Sequence, residues 1–282
     1  MVQSICVCGA GTMGSGIAQA AAQSGIYTLL FDLNKEVLQK AEAAINTNLD
    51  SLVAKQKITE DQRKIITGNL QYINDINFCI ADVIIEAIIE KPEAKIALFN
   101  QLAEINHSDT IFASNTSSLS ISLLQQSILQ PQRVAGMHFF NPATIMKLVE
   151  VVRGEQTAEQ VIDALVALAK QMNKTPVICK DAPGFIVNRV ARPYYIESLK
   201  LVEDGIADFA TIDALLEASG FKMGPFKLMD LIGNDINYAV SCSVYEQLGQ
   251  PERLKPSPIQ KEKVEKGELG RKTKKGYYNY NG

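Results

Sequence analysis

The chain has 282 residues, enough for one large domain or for two smaller ones. Its 28 basic and 31 acidic side chains give a formal net charge of -3, without the basic excess that is typical of nucleic-acid binding proteins. Charged residues and glycines interrupt every apolar stretch well short of ~20 residues, which excludes a helical membrane span. The N-terminus lacks a basic segment before its first apolar residues, so we expect no signal peptide.

Short apolar segments with the composition of β-strands alternate with longer helical patterns as far as about residue 180. The predicted strands are Ser4–Cys8, Tyr27–Phe31, Asp82–Ala87, Thr110–Ala113, Arg133–Met137, Lys147–Val152 and Thr175–Cys179. The helices predicted between the earlier strands are Gly14–Ser24, Lys35–Lys55 and Pro92–Glu104. The alternation indicates βαβ units and therefore an α/β fold, a Rossmann-like, doubly wound and mostly parallel sheet with helices on both faces.

The character of the sequence changes after Asp181-Ala182-Pro183-Gly184, where only helical patterns follow. Helices are predicted at Phe185–Val202, with a kink at Pro193, and at Thr211–Ala218, which Gly220 ends. The tail from Pro251 onward contains three prolines and predicts loops with a short helix. We therefore expect two domains, residues 1–182 and an all-helical domain of residues 183–282.

The five cysteines are odd in number and lie in apolar surroundings, which favours reduced, buried thiols in a cytoplasmic protein. Cys6 and Cys8 alternate along a predicted strand with no second pair nearby in the sequence. That spacing favours core packing over a metal site, so no metal is expected.

The segment Gly9-Ala10-Gly11-Thr12-Met13-Gly14 fits the pattern G-x-G-x-x-G between the first strand and an alanine-rich helix. In a dinucleotide site Gly9 permits the tight turn, Gly11 lets the backbone approach a pyrophosphate, and Gly14 lets the helix pack closely on the strand. Asp32, at the end of the second strand, accepts hydrogen bonds from a ribose diol and repels a 2′-phosphate. This favours NAD over NADP, although Lys35 weakens the preference. The alternative is an ordinary glycine turn with Asp32 capping the next helix.

Two histidines are present, and only one of them stands where chemistry is expected. His107 lies in a polar stretch between a helix and a strand, which indicates a solvated loop residue. His138 follows the strand Arg133–Met137, and ligands of open α/β sheets bind outside the carboxyl ends of the strands. Position alone leaves a structural role for His138 equally open.

Glu150 favours the catalytic interpretation of His138. It is flanked on both sides by apolar β-formers, so its carboxylate is expected to be partly buried and to need a partner. A carboxylate that holds one imidazole nitrogen fixes the tautomer and stabilises the imidazolium, as in the triad of serine hydrolases. The alternative is that Glu150 is exposed on an edge strand.

Two polar segments complete the candidate site. Ser114-Asn115-Thr116-Ser117-Ser118 follows the strand Thr110–Ala113, again at a carboxyl end. Asn188 lies one helical turn past the predicted domain junction, where an Asn on an apolar helix face suits a substrate donor. A structural hydrogen-bonding role for Asn188 is the alternative.

These residues together resemble the 3-hydroxyacyl-CoA dehydrogenase family, and the match runs nearly from end to end. The motifs of the first domain are Gly9 to Ala18, Glu86-Ala87-Ile88-Ile89-Glu90, Ala113 to Leu119, His138-Phe139-Phe140-Asn141-Pro142 and Lys147 to Val152. Those of the second domain are Asp181 to Arg189 and Met223-Gly224-Pro225-Phe226.

The resemblance implies an NAD-dependent oxidation of a 3-hydroxyacyl-CoA, of the short-chain 3-hydroxybutyryl-CoA type. His138 would be the catalytic base and Glu150 its orienting partner, with Ser117, Asn141 and Asn188 around the reacting oxygen. Glu90, Lys95 and Asn115 would reach the nicotinamide half of NAD. The full set expected around the cofactor is Gly9, Gly11, Thr12, Met13, Gly14, Asp32, Ala87, Glu90, Lys95, Asn115 and Ser117.

The CoA thioester is expected to contact Ser117, Asn48 and Lys55. Lys57 and Arg63 nearby also favour an anionic CoA tail, although basic residues on a helix are more often a solvated face. The sequence departs from the family pattern at Asn48 (usually Ser), Lys227 (usually acidic) and Lys274 (usually Gly), none of them in the predicted chemistry.

A homodimer is expected through the helical domain, because a small helical domain cannot bury all of its apolar side chains internally. Those side chains are Phe185, Ile186, Val187, Val190, Leu199, Leu231, Ile232, Val240 and Val244. Two other functions stay open at this point, a dehydrogenase of the same architecture that acts on a sugar acid and a non-catalytic nucleotide-binding protein.

Overall fold

The structure, a computed structural model, describes residues 2–280. The chain divides into two compact units, the first ending at Asp181 and the second beginning at Ala182.

Within the described residues, eight strands of the first unit form one sheet in the order β3-β2-β1-β4-β5-β6-β7-β8. The strands are β1 Ser4–Cys8, β2 Tyr27–Phe31, β3 Leu70–Ile73, β4 Val83–Glu86, β5 Ile111–Ser114, β6 Val134–Phe139, β7 Leu148–Arg153 and β8 Thr175–Lys180. Neighbouring strands run parallel except β6 and β7, which pair antiparallel. The predicted α/β, mostly parallel sheet is therefore confirmed.

Helices of the first unit connect these strands. They are α1 Thr12–Gln23, α2 Lys35–Ala54, α3 Glu60–Gly68, α4 Pro92–Ile105, α5 Ile121–Gln125 and α6 Glu159–Gln171. Some of these helices begin with a side-chain cap. At the start of α2, for example, the Asn34 side chain accepts hydrogen bonds from the Glu36 and Val37 N–H groups. Apolar residues of α1, α2 and α6 pack with the strands in one continuous buried core.

The carboxyl ends of the parallel strands share one edge of the sheet. The register places Cys8 beside Glu86, Glu86 beside Ser114 and Ser114 beside Gly136. The glycine loop and the segment that follows Ser114 therefore leave the sheet at this edge, and His138 lies near the end of strand β6 there. This is the edge where open α/β sheets bind ligands.

The first unit differs from the sequence prediction in several places, and helices α5 and α6 are among the elements that were not predicted. Helix α3 and strand β3 were not predicted, because β3 has only four residues and α3 lacks a continuous apolar stripe. The N-terminus of α3 nevertheless has a capping box, in which the side chains of Thr59 and Gln62 each accept a hydrogen bond from the other residue's backbone N–H. Strand β6 extends two residues further than predicted, so His138 lies inside it.

A third thiol joins the two predicted core cysteines. The Sγ atoms of Cys6, Cys8 and Cys79 all lie within 4.8 Å of one another, and all three residues are fully buried. Cys79 lies 71 positions beyond Cys8 in sequence, in the loop before β4, so spacing alone did not indicate its approach.

The described part of the second unit is helical. Its helices are α7 Val187–Glu203, α8 Phe209–Ala218, α9 Pro225–Ile232, α10 Asn234–Gln247 and α11 Pro258–Glu265. Helix α7 continues through Pro193, where the sequence predicted a kink. Among the described residues, no helix is long and apolar enough to cross a membrane.

A buried carboxylate fixes the tail. Asp230 is 1% exposed and accepts from the N–H groups of Tyr277 and Tyr278 and from the Tyr280 hydroxyl, each at 3.0 Å. A Cβ on Gly276 would stand 2.0 Å from the Asp230 carboxylate, so only glycine fits there. The predicted loops and short helix of this tail thus fold back on α9.

Candidate active site

The antiparallel pairing of β6 and β7 places His138 directly opposite Glu150. Their side chains meet, with Nδ1 of His138 2.8 Å from Oε2 of Glu150. His138 is 6% exposed and Glu150 1% exposed. A carboxylate that deep is costly without a partner, and the imidazole supplies one. The predicted pair is therefore present in the geometry, and the alternative of an exposed Glu150 is wrong.

A second buried carboxylate lies at the same edge of the sheet. Glu86 is the last residue of β4 and is fully buried. Its oxygens accept from the Lys95 ammonium at 2.6 Å, the Ser114 hydroxyl at 2.6 Å and the Ile88 N–H at 2.8 Å. Lys95 is itself only 1% exposed, so Glu86 and Lys95 form a buried ion pair.

Glu90 connects that ion pair to the loop after β5. One Glu90 oxygen lies 3.0 Å from the Lys95 ammonium. The other accepts from the Thr116 hydroxyl and from the Ser117 N–H at 3.1 Å. The predicted cofactor residues Glu90, Lys95 and Ser117 are thus brought into one connected cluster.

The two glutamates of this cluster differ in acidity. Burial raises the pKa of Glu86, and the hydrogen bonds and positive charge of Lys95 offset that rise only in part. Burial acts in the same direction on Glu90, but the charge of Lys95 and the bonds from Thr116 and Ser117 outweigh it and lower its pKa. Glu90 is therefore the stronger acid of the two.

Asn115 fixes the backbone beside His138. Its side-chain oxygen accepts from the Phe139 N–H at 2.9 Å, and its own N–H donates to the Glu86 carbonyl at 2.8 Å. The predicted cofactor residue Asn115 therefore also ties the ends of β4, β5 and β6 together.

The glycine loop has the backbone that a dinucleotide site needs. Gly9 has a φ of +103°, and a Cβ there would stand 2.6 Å from the Ala87 carbonyl oxygen. A Cβ on Gly14 would stand 1.7 Å from the Gly9 carbonyl oxygen. Gly11, by contrast, faces open space within 4 Å and precedes α1, whose N-terminus has no side-chain cap. These features fit a pyrophosphate held by the N–H groups that begin at Thr12 and Met13.

Asp32 follows β2 at the same edge. Its carboxylate accepts from the Ala10 N–H and from the Asn34 N–H, each at 2.9 Å. It therefore lies against the glycine loop, which fits its predicted task of binding the ribose diol. Asn34, not Asp32, caps helix α2, so the alternative of Asp32 as a helix cap is wrong.

A small cleft of about 170 Å³ opens beside α1. Asn48 and Asn141, both predicted site residues, line it together with Thr12. The Asn48 amide donates to the Gln19 side chain at 3.1 Å. Buried Lys174 holds the segment after Asn141 by donating to the Ala143 and Met146 carbonyls. The third residue predicted for CoA, Lys55, is exposed and directly follows α2.

Asn188 belongs to the second unit and is the second residue of α7. It is half-buried, and its carbonyl accepts from Arg192 Nε at 2.9 Å. His107, predicted to be a loop residue, is exposed between α4 and β5.

Neither Glu86 nor Ser114 was given a role of its own from the sequence. The available signal was an acidic residue at the end of the apolar run Val83-Ile84-Ile85. The same argument that singled out Glu150 applies to it, because a carboxylate in that context needs a buried partner.

Comparison with known proteins agrees with this geometry. Residues 4–182 match the family model described as the 3-hydroxyacyl-CoA dehydrogenase NAD binding domain. Residues 184–280 match the one described as the 3-hydroxyacyl-CoA dehydrogenase C-terminal domain.

Two curated relatives are similar over almost the whole chain. A protein named 3-hydroxyadipyl-CoA dehydrogenase from Escherichia coli K12 is 46% identical over 281 residues, 99% of this chain and 59% of the relative. A probable 3-hydroxybutyryl-CoA dehydrogenase from Deinococcus radiodurans is 38% identical over 276 residues, 97% of this chain and 99% of the relative. The chain thus spans less than two thirds of the Escherichia coli relative and nearly all of the other.

Among solved structures, (S)-3-hydroxybutyryl-CoA dehydrogenase from Ralstonia eutropha has a TM-score of 0.95 at 35% identity and covers 100% of both chains. A 3-hydroxybutyryl-CoA dehydrogenase from Escherichia coli K12 also has a TM-score of 0.95, at 46% identity, covering 99% of this chain and 60% of the other. These matches confirm the predicted family and the predicted cofactor, NAD. The chain belongs to the 3-hydroxyacyl-CoA dehydrogenase family.

Proposed function

We propose that the chain interconverts an (S)-3-hydroxyacyl-CoA and the corresponding 3-ketoacyl-CoA, with 3-hydroxybutyryl-CoA and acetoacetyl-CoA as the short-chain pair. The observation that carries the proposal is the buried contact between His138 and Glu150 at the edge of the sheet where the glycine loop also lies. NAD, when bound, supplies the hydride chemistry at C3 of the acyl chain.

In the oxidative direction His138 takes the proton of the C3 hydroxyl. Glu150, 2.8 Å from Nδ1, fixes the orientation of the ring and stabilises the imidazolium that forms. In the reverse direction His138 returns that proton to the C3 oxygen. Ser117, Asn141 and Asn188 are expected to donate hydrogen bonds to this oxygen as charge develops on it.

Each of the two competing functions would use only part of the candidate site. A non-catalytic nucleotide-binding protein would use the glycine loop and Asp32 but has no need of a buried His138–Glu150 pair. A dehydrogenase for a sugar acid would use that pair but not a CoA subsite, and Asn48 in its cleft beside α1 supports CoA.

The test is oxidation of NADH, followed at 340 nm, with acetoacetyl-CoA, with longer 3-ketoacyl-CoAs and with free acetoacetate. We expect turnover of the thioesters and almost none of the free acid. Equal turnover of the free acid, or no turnover of any thioester, would contradict the proposal.

The same assay addresses cofactor choice. Because Asp32 repels a 2′-phosphate, we expect a higher kcat/KM with NADH than with NADPH. An equal or higher value with NADPH would show that Lys35 or another neighbour overrides Asp32.

We further propose that residues 183–282 mediate a homodimer and contribute to substrate binding, while residues 1–182 bind NAD. Val190, Ile206, Leu215 and Ile236 of the second unit are each more than half exposed, which supports a covered face. Of the apolar side chains counted from the sequence, Leu199, Val240 and Val244 pack inside the second unit, so they are not among those that a partner would cover. Light scattering at micromolar concentration should give twice the chain mass; a monomer mass would refute the dimer.

A cytoplasmic location is part of the same proposal. Its support is the presence of five free cysteines, three of them packed together in the core.

A further inference from the structure

Arg192 is a buried cation for which the described residues supply no acidic partner. It is the sixth residue of α7 and is 3% exposed. Its guanidinium donates to three neutral oxygens: Nε to the Asn188 carbonyl, and Nη1 to the Asn237 carbonyl and the Ser241 hydroxyl, each at 2.9 Å. Among residues 2–280, neither a carboxylate in ion-pair range nor a hydrogen bond to its Nη2 is found.

A guanidinium in that position is unusual because charge is costly to bury without compensation. The ring of Tyr195, whose centroid lies 4.9 Å from the guanidinium carbon, offsets only part of that cost. Burial lowers the pKa of Arg192 to about 10, so the group is still cationic at neutral pH. By comparison, Lys95 of the first unit, which is similarly buried, is neutralised by Glu86 and Glu90.

The place of Arg192 on α7 connects it to the predicted substrate site. It lies four residues after Asn188, which is one turn and about 6 Å along the helix axis on the same face. Its Nε reaches back to the Asn188 carbonyl, so the guanidinium lies between the two positions. Asn188 is the residue expected beside the C3 oxygen of the substrate.

We propose that Arg192 selects acyl chains that end in a carboxylate, as in the CoA thioester of a six-carbon dicarboxylic acid. This inference rests on the proposed function, because it uses Asn188 as the position of C3. From C3, three bonds of ~1.5 Å lead to the terminal carbon of such a chain, a span that fits one helical turn. With Nε and both Nη1 N–H groups already bonded, the two N–H groups of Nη2 are the ones that can donate to such a carboxylate, which supplies the missing negative charge.

The relatives leave this choice open. The Escherichia coli relative is named for 3-hydroxyadipyl-CoA, and the Deinococcus radiodurans relative for 3-hydroxybutyryl-CoA. The two acyl chains differ in length and in the charge at the far end, so a single buried cation is sufficient to discriminate between them.

The test compares kcat/KM for 3-hydroxyadipyl-CoA and for 3-hydroxyhexanoyl-CoA, which has the same number of acyl carbons and no charge. We expect the wild type to favour the charged substrate and Arg192→Met to reduce that preference ~10- to 100-fold, as for loss of a hydrogen-bonded charge. Arg192→Lys keeps the charge but not the planar fork, so it should retain part of the preference.

Arg133→Met is the matched control. Arg133 is also a buried arginine without an ion pair among the described residues, and its Nη1 donates to the His107 carbonyl at 2.7 Å. It directly precedes β6, at the sheet edge opposite to His138. Its replacement should leave the ratio of the two kcat/KM values unchanged.

A wild-type measurement keeps the test valid if the Arg192 variants do not fold. Adipyl-CoA and hexanoyl-CoA lack the C3 hydroxyl and act as competitive inhibitors, so the ratio of their inhibition constants reports the charge preference directly. No preference for the charged substrate or inhibitor, or an unchanged ratio in Arg192→Met, would overturn the inference while leaving the proposed function intact. Failure of the wild type on every 3-hydroxyacyl-CoA would instead overturn the proposed function.

Discussion

Two buried carboxylates lie at the same edge of the sheet, and their partners differ. Glu150 is reached across an antiparallel strand pair by an imidazole, 2.8 Å away. Glu86 is reached by an ammonium at 2.6 Å and is also bonded by a hydroxyl and a backbone N–H. Burial is nearly complete in both cases, so it is the partner that distinguishes the two sites.

That difference separates a proton carrier from a fixed anchor. An imidazole generally changes its charge near neutral pH, so a carboxylate beside it can stabilise a charge that appears and disappears during turnover. A lysine ammonium generally stays charged under the same conditions, so we interpret the Glu86–Lys95 pair as a permanent support for the two loops that carry Glu90 and Ser117. The comparison predicts loss of chemistry at the first site and loss of stability at the second.

The largest effect is expected from His138→Gln. The variant should fold and bind NADH but lose ~100- to 10,000-fold in kcat, the usual contribution of a general acid–base group. Steady-state kinetics and NADH fluorescence titration measure the two quantities separately. His107→Gln is the control, because His107 is exposed in a loop, and it should be close to neutral.

Lys95→Met tests the second site through stability. Removing one partner of a buried ion pair leaves Glu86 uncompensated, which typically costs about 3–5 kcal/mol in the free energy of unfolding. Urea unfolding measures that loss. The exposed Lys91, on the turn before α4, provides the control Lys91→Met, which should change stability by less than about 0.5 kcal/mol. Equal stability of both variants would mean that the buried pair is no anchor.

A smaller effect concerns pH. The pKa of Glu90 is lowered on folding, so its stabilising contribution is present above the unfolded-state pKa and is lost as the pH falls through the folded-state value. The raised pKa of Glu86 acts with the opposite sign, because its protonated form is favoured in the folded state. Glu90→Gln should therefore lose less stability than the wild type between about pH 5 and pH 3.

The midpoint of thermal unfolding at several pH values checks this expectation. Glu104→Gln, at an exposed position on the same helix α4, is the control and should follow the wild type. An identical pH dependence for Glu90→Gln would show that the contacts of Glu90 with Lys95 and Thr116 contribute nothing to stability.

The His138–Glu150 contact was predictable from sequence because two strong signals coincide. A polar residue inside an apolar strand needs a partner, and the carboxyl end of a strand is where ligands bind. What the sequence did not give is the strand direction. The antiparallel pairing of β6 and β7 sets the register that makes these two residues neighbours. No local sequence pattern specifies that strand direction.

The contacts of Glu86 with Lys95 and Ser114 were harder to predict from the sequence. They join a strand end, a helix and the next strand, and no periodicity relates such positions. The same holds for Cys79, which joins Cys6 and Cys8 from a loop. Helix α3 was missed for a different reason. Its capping box is a local signal that the sequence contains, but its apolar face is too short to indicate a helix.

The most direct test of the account is a double-mutant cycle at His138 and Glu150, with kcat for acetoacetyl-CoA as the measured quantity. Glu150→Gln should lower kcat with a smaller change in KM, because the carboxylate acts on the imidazolium. The double variant should be no slower than His138→Gln alone, since Glu150 has nothing to orient once the imidazole is gone. Effects that multiply instead, or a near-normal kcat in folded, NADH-bound His138→Gln, would contradict the mechanism.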